Sequence, residues 1–444
     1  MHLADDLPHV PSPFEGRTIR AREHIGLSIF WFATNFLWGA MLFLVIPEQV
    51  RQIIPDKQAE ALGLVLGIGA VAALVVPLIV GPLSDRCSHP MGRRRPYMIW
   101  GVALNVLGLA GMLGAGEAKN IWLFGLAFVV VQTGNNMATT SYAGVIPDLI
   151  PYEQRGTASG YMAMASQAGT LVGILTTGPL LVQSGTLWGM GRGMTLAYGL
   201  QAAVLVAFLI MALPAIPERP LPHRLPKIQW GPTIRSLWID PVKYSDFAWV
   251  WITRALVMMG FYSVMPFVQN FMRDVIHVPN PIEMGGNLIG LALVTATISS
   301  IFAGRLSDRT GRKPIVYVAT GIMTVACILL ALCGNFMQAM LVGGLFGLGY
   351  GAYVSVDWAL GTDVLPDKRE AAKQLAVWHI AMTLPQSLAS PIAGLALGAA
   401  YVQTIVVDGE RTPVYGLMGY YALFGLCAIY FVLGGILLRH VRAR

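Results

Sequence analysis

The chain has 444 residues, 55% of them hydrophobic and only 12% charged, with a formal net charge of +7. A soluble protein carries about 25% charged residues, so this chain has too few to cover a water-facing surface of its size. That excludes a secreted disulfide scaffold, a disordered chain and a nucleic-acid binder, and it points to an integral membrane protein.

The first 24 residues are polar and hold Pro8, Pro11 and Pro13, so no cleavable signal peptide is expected. A bilayer core takes about 20 apolar residues per helix. Twelve runs meet that need, at 25–47, 60–82, 96–115, 120–147, 155–182, 194–213, 244–271, 284–304, 314–333, 335–362, 371–400 and 414–438. The longest polar linker, 214–243, falls between the sixth and seventh runs and holds five prolines up to Pro226 and five basic residues. The expected organisation is a tail over 1–24, a six-helix bundle over 25–213, the linker 214–243, a second six-helix bundle over 244–438 and a basic tail over 439–444. Of the four cysteines, Cys87 lies in a loop and Cys327, Cys333 and Cys427 lie in apolar runs with no metal-ligand spacing.

An even number of spans puts both termini on one side. Of the 30 Lys and Arg residues, 23 lie in the N-tail, the loops after even-numbered helices and the C-tail, against 6 in the opposite loops. The positive-inside rule makes the termini cytoplasmic. The remaining basic residue, Arg254, falls inside a helix. Short loops and the lack of N-x-S/T sequons point to a bacterial inner membrane.

The two halves repeat. Residues 81–96 read GPLSDRCSHPMGRRRP and residues 304–314 read GRLSDRTGRKP, each after the second helix of its half. A second echo pairs Asp148-Leu-Ile-Pro151 before Arg155 with Asp363-Val-Leu-Pro366 before Arg369. Parallel repeats of this kind place a substrate site near the midplane. Gly81 and Gly304 are expected to let helix ends approach closely. Asp85 and Asp308, at helix C-termini where an anion is unfavourable, are expected to seek a donor on the neighbouring bundle.

The G-x-L-S-D-R-x-G-R-[KR]-P pattern resembles the signature loop of the major facilitator superfamily, and the resemblance covers about residues 20–440. It implies an all-α membrane protein with twelve transmembrane helices in two pseudo-symmetric six-helix bundles and transport by alternating access; with no nucleotide loop, zinc motif or nucleophile constellation in the sequence, no enzymatic activity is expected. It implies a gating role for Gly81, Asp85, Arg86, Gly92, Arg93, Arg94, Asp148 and Arg155, and for their counterparts Gly304, Asp308, Arg309, Gly311, Arg312, Asp363 and Arg369. The alternative is that these loops only set topology by their positive charge. The longer first loop, with Gln132-Thr-Gly-Asn135-Asn136-Met137 on helix four, is similar to the sucrose- and maltose-type sugar–proton symporters of the glycoside–cation group. Where that group carries a protonatable Asp this chain has Gln132, and where it carries an Arg this chain has Ala143. Helix two carries only Glu60, at its outer end, so no sodium site of the helix-two type is expected and the proton gradient is the expected energy source, with no bound cofactor or metal.

An ionisable group in hydrocarbon is costly and marks a functional candidate. Arg254 on helix seven, Asp357 on helix ten and His379 on helix eleven fall in one layer about 10–15 Å deep at 1.5 Å per residue. An Arg254–Asp357 ion pair with His379 close by is expected. Either Asp357 binds and releases a proton under the control of Arg254, or the pair is a permanent salt bridge that fixes packing.

Helical spacing puts Gln132, Asn135, Asn136, Thr139 and Tyr142 on one face of helix four. Helix one adds Asn35 and Trp38, helix five Gln167, helix seven Tyr262 and Gln269, and helix eleven Gln386. Trp358 and Trp378 flank Asp357 and His379 in sequence. Amides donate to and accept from hydroxyls, and indoles cover the apolar face of a pyranose. These residues are candidate substrate contacts, and interhelical hydrogen bonding is the alternative for each amide. The leading reading is a proton-coupled transporter of a small polar solute, a sugar or glycoside, working as a monomer among membrane lipids. The alternatives are an exporter or exchanger of a metabolite or amphipathic compound, and a membrane receptor or assembly factor on a transporter scaffold.

Overall fold

A computed structural model of the chain describes residues 14–151, 154–187, 190–218, 230–231, 239–365, 371–398, 402–407 and 410–442. Among them, twelve helices are long and apolar enough to cross a membrane. They are α1 (Ala21–Ile53), α2 (Gln58–Asp85), α3 (Arg95–Glu117), α4 (Ile121–Ala143), α5 (Arg155–Leu187), α6 (Met190–Ala215), α7 (Ser245–Asp274), α8 (Pro281–Thr310), α9 (Arg312–Ala331), α10 (Phe336–Asp363), α11 (Ala371–Gly398) and α12 (Leu417–Leu437). Side-chain amides start two of them: Asn120 accepts the Trp122 and Leu123 amides before α4, and Asn335 accepts the Gln338 amide before α10.

Two helices are interrupted next to proline. In α1 a π-helical stretch, Met41–Val45, precedes Pro47, and in α7 a 3-10 turn, Met265–Phe267, surrounds Pro266. A proline ring removes one hydrogen bond and crowds the preceding turn, and a local change of pitch relieves this. Pro77, Pro179, Pro385 and Pro391 sit inside helices that stay α-helical around them.

The chain divides into two compact units. The first comprises Met1–Val45 and Ile68–Arg235, the second Ile46–Gly67 and Ser236–Arg444. Relative to a division at the linker, one segment changes side: the end of α1 and the start of α2 pack with the C-terminal helices.

Within each unit, helices meet through residues without side chains. A Cβ on Gly101 of α3 would lie 2.6 Å from the Gly134 carbonyl of α4, and one on Gly173 of α5 would lie 2.3 Å from the Phe36 carbonyl of α1. In the second unit, Cβ atoms on Gly347 and Gly351 of α10 would lie 2.1 and 2.0 Å from the Ala292 and Ala296 carbonyls of α8. Backbone approach of this kind replaces the hydrophobic drive that lipid cannot supply. By contrast, a Cβ on Gly81 would meet nothing nearer than Thr140 at 3.8 Å, and one on Gly304 nothing nearer than Ser355 at 4.0 Å. At the signature glycines the neighbours therefore stand at ordinary contact distance, and the close approaches fall at other glycines.

A feature absent from the sequence reading is an antiparallel hairpin between α11 and α12, β1 (Val402–Val407) with β2 (Glu410–Tyr415), in register Val402↔Tyr415 to Val407↔Glu410. The signal was legible: a β-branched run followed by Asp408-Gly409, a favoured hairpin pair.

Candidate functional site

In the second unit, Arg254 of α7 and Asp357 of α10 form a buried ion pair through Nη1 and Oδ2, with side chains 7% and 8% exposed. The Tyr353 hydroxyl, one turn before Asp357, donates to its Oδ1 at 2.9 Å. The Arg254 guanidinium lies over the Trp378 ring of α11 with its carbon 4.8 Å from the ring centre. The Trp251 indole donates to the Val377 carbonyl at 3.0 Å, which ties α7 to α11 beside the pair. Three helices thus fix one charge pair, each by a different interaction. Among the described residues, Arg254 Nε and Trp378 Nε1 are buried donors without a hydrogen-bond partner. His379 is exposed and lies within electrostatic reach of Arg254, as do Tyr262 and Tyr350. Gln269 is buried and Gln386 half-buried, while the side chain of Trp358 lies outside the described residues.

In the first unit the amides of α4 form a ladder. Asn136 Nδ2 donates to the Gln132 carbonyl at 2.8 Å and to its Oε1 at 3.1 Å, and the Thr139 hydroxyl donates to the Asn135 carbonyl at 2.8 Å. Asn135 Oδ1 is buried with no partner among the described residues. On α1, Asn35 donates to the Trp31 carbonyl at 2.8 Å, and Trp38 meets Phe128 edge-on at 6.3 Å. Gln167 is exposed on α5. Tyr142 corrects the expectation of a substrate contact. Its hydroxyl donates to the Leu27 carbonyl at 2.6 Å, accepts the Phe30 amide at 3.3 Å, and the residue is 1% exposed. It shares the polar face of α4 by spacing, but it lies far enough along the helix for its ring to meet α1, which it fastens.

The signature loops form parallel networks, one in each unit. In the first, Arg94 is ion-paired with Asp85 at 2.5 Å and with Asp148 at 3.0 Å, and its Nη1 donates to Ser84 at 3.0 Å. Arg93 meets Asp148 at 2.9 Å. Burial opposes the Arg94 charge, but Asp85 and Asp148 more than offset this and raise its pKa. In the second, Arg312 Nη1 donates to Ser307 at 2.7 Å and its Nε lies 3.6 Å from Asp363. Asp85 therefore finds its donor in its own loop rather than on the neighbouring bundle. The reason is local: Gly92, at φ +106°, turns the loop back so that Arg94 arrives beside the end of α2. Gly311, at φ +89°, makes the corresponding turn. Arg86 is half-buried and Arg309 exposed. The side chains of Arg155 and Asp308, and the whole of Arg369, lie outside the described residues.

Two fasteners escaped the sequence reading. Tyr353 was discoverable as the i−4 neighbour of Asp357. Glu218, an acid in a basic stretch after α6, accepts the Arg94 amide at 3.0 Å and the Arg95 amide at 3.1 Å. Burial pushes the Glu218 carboxyl above the ordinary carboxylate range, against the pull of those amides and of the Arg94 guanidinium.

Two six-helix sets, duplicated charged loops and a buried intramembrane ion pair define a multi-pass membrane transporter rather than an enzyme. The chain belongs to the Major Facilitator Superfamily, whose profile matches residues 25–390 and 250–444. It is 26% identical over 354 residues to the multi-drug resistance efflux pump PmrA of Streptococcus pneumoniae, covering 74% of this chain and 78% of that one. It is 30% identical over 157 residues to sucrose transport protein SUC4 of Arabidopsis thaliana, covering 32% of this chain and 30% of that one. Among solved structures, nucleoside transporter NupG superposes with a TM-score of 0.67 at 12% identity, covering 95% of this chain and 100% of that one.

Proposed function

We propose that the chain is a proton-coupled secondary transporter of a small polar solute, a sugar or glycoside, with Asp357 as the proton-binding group. The observation that carries this reading is the Arg254–Asp357–Tyr353 cluster. A charge pair inside a membrane is close to neutral as a whole, so it is tolerable there, while either charge alone is costly. Protonating Asp357 cancels its charge and frees Arg254, which among the described residues keeps the Trp378 face and a weak Met382 contact at 3.9 Å. The free guanidinium then favours a new acceptor, such as a solute hydroxyl. Gln132, Asn135 and Asn136 in the first unit supply amides for other hydroxyls. The partial similarity to the sucrose carrier and the Asn-Asn-Met run support the solute class. The Lys and Arg distribution supports cytoplasmic termini, and bacterial relatives support a bacterial inner membrane.

A second reading, export of an amphipathic compound, draws on two of the relatives that match more than two thirds of the chain, the PmrA pump and multidrug resistance protein MdtG of Klebsiella pneumoniae, the latter at 25% identity over 73% of this chain. The test is uptake of labelled sucrose, maltose and monosaccharides into proteoliposomes under an inward proton gradient, for wild type and Asp357→Asn. Accumulation of one sugar that Asp357→Asn abolishes, with exchange retained, supports the proposal. Equal uptake with and without the gradient removes the coupling role, and no flux of any sugar moves the export reading to first place.

A further inference from the structure

The Arg254–Asp357 pair leaves one edge of the guanidinium unused. Asp357 divides its oxygens between two donors: Oδ2 takes Arg254 Nη1, and Oδ1 takes the Tyr353 hydroxyl at 2.9 Å. A carboxylate facing an arginine often uses both oxygens on two parallel N–H groups. Here Asp357 reaches Nη1 alone. The edge formed by Nε and Nη2 has no oxygen acceptor among the described residues. Nε has no partner, and Nη2 meets the Met382 sulfur of α11 at 3.9 Å. A thioether is a weak acceptor, and at that distance it covers the edge more than it satisfies it.

The surroundings are rich in donors. Arg254 is 5% exposed and Trp378 0%. The Trp378 ring lies against the guanidinium, and its own Nε1 is a second buried donor without a partner among the described residues. Buried donors without acceptors are costly, and further donors cannot relieve them. What this place lacks is an acceptor. Met382 is half-buried, and its unbranched side chain can swing aside without moving a helix backbone. The edge behind it is planar and held in place by the Trp378 face and by Asp357. A rigid fork of two N–H groups matches the two oxygens of a carboxylate.

Charge points the same way. The titratable groups that face Arg254 are Asp357, Tyr353 and Tyr350 of α10, Tyr262 of α7 and His379 of α11. Asp357 is the one carboxylate among them. The other candidate contacts, Gln132, Asn135, Asn136, Gln269 and Gln386, are uncharged amides. When Asp357 takes a proton, a neutral solute leaves Arg254 as a buried cation without a counter-ion. A solute hydroxyl satisfies an N–H but not the charge. A carboxylate satisfies both.

We infer that the Nε–Nη2 edge of Arg254 is the binding site for a carboxylate of the solute, which makes the solute an acid of the sugar class, and that Met382 is the side chain it displaces. The inference rests on the reading of Asp357 as the proton-binding group and narrows the solute within it. The anion replaces the counter-ion that protonation removes, so proton and solute travel together with no net charge.

The test compares each sugar with its own acid, glucose with gluconate and maltose with maltobionate, by titration calorimetry on the full chain in detergent. The acid should bind about tenfold or more tightly than its neutral partner, the low end for a hydrogen bond to a charged group. Arg254→Lys keeps the positive charge but has no planar edge, and should remove most of the preference. Met382→Glu puts a carboxylate of the chain itself at the edge and should remove it as well. If Arg254→Lys does not fold, Met382→Glu decides. In proteoliposomes under an inward proton gradient, uptake of the acid should be indifferent to an interior-negative potential set with potassium and valinomycin. A neutral sugar that binds as tightly as its acid, and accumulates faster when the interior is negative, overturns the inference and leaves the sugar–proton reading standing. A preference for the acid that both variants retain also overturns it. No binding or uptake of any of these compounds overturns both readings. A preference lost in the variants, with uptake that ignores the proton gradient, supports the carboxylate site and removes the coupling role of Asp357.

Discussion

Removing one member of the Arg254–Asp357 pair should destabilise the protein, whereas removing both should not. The two side chains are 7% and 8% exposed, and stripping one partner from a buried pair costs about 3–5 kcal/mol because the other charge is left uncompensated. For Asp357→Asn the orphaned guanidinium keeps the Trp378 ring at 4.8 Å, a contact worth up to about 2 kcal/mol when desolvated, so the cost falls near the lower end, about 3 kcal/mol. Arg254→Met leaves Asp357 with the Tyr353 hydroxyl alone. The double variant Arg254→Met with Asp357→Leu removes both charges and should recover most of the loss; single costs of about 3 kcal/mol each and a double cost of about 1 kcal/mol give a coupling energy of about 5 kcal/mol, or a factor of roughly several thousand in the unfolding equilibrium. Thermal or denaturant unfolding in detergent, run as a double-mutant cycle, measures it. A double variant as unstable as the worse single variant would refute the electrostatic account. Gradient-driven accumulation separates the two roles of the pair. Loss in the stable double variant assigns the pair to coupling, while wild-type accumulation there makes it a packing device.

Burial raises the Glu218 pKa, so the folded protein holds this proton more tightly than the unfolded chain. The stability it contributes is complete below the unfolded pKa and is lost as pH rises through the folded pKa. The melting temperature of wild type relative to Glu218→Gln should therefore fall as pH rises above the ordinary carboxylate value of about 4.3, and a flat or rising difference would mean that Arg94 and the loop amides set its charge instead. At the helix crossings, Gly173→Val should lower stability by about 1–3 kcal/mol, since its Cβ would sit 2.3 Å from the Phe36 carbonyl. Gly81→Ala, with 3.8 Å of clearance, should change stability by no more than about 0.5 kcal/mol; unfolding of the two variants side by side tests whether the crossing glycines or the signature glycine carries the packing.

Much of the architecture was legible because membrane constraints act locally on the chain. A span must be long and apolar, so twelve runs announced twelve helices, and a charge inside a span stands out, so Arg254, Asp357 and His379 could be named. The duplicated loops were legible because the Gly-x-Leu-Ser-Asp-Arg run survives in both halves, and the structure joins Ser84 to Arg94 and Ser307 to Arg312 although these pairs lie 10 and 5 residues apart. Partner choice was another matter. Asp85 pairs with Arg94 because a positive φ at Gly92 reverses the loop, and Tyr142 turns to Leu27 because α1 happens to cross there. Spacing along one helix identifies a face but not what packs against it. The assignment of Ile46–Gly67 to the C-terminal unit, and the union of Gln58 with Asn270 across 212 residues of chain, depended on tertiary packing alone. Hydropathy reports only the transfer of each segment into lipid, and a polar residue placed near a helix end gives the same signal whether it meets water or a buried amide from the other half of the sequence.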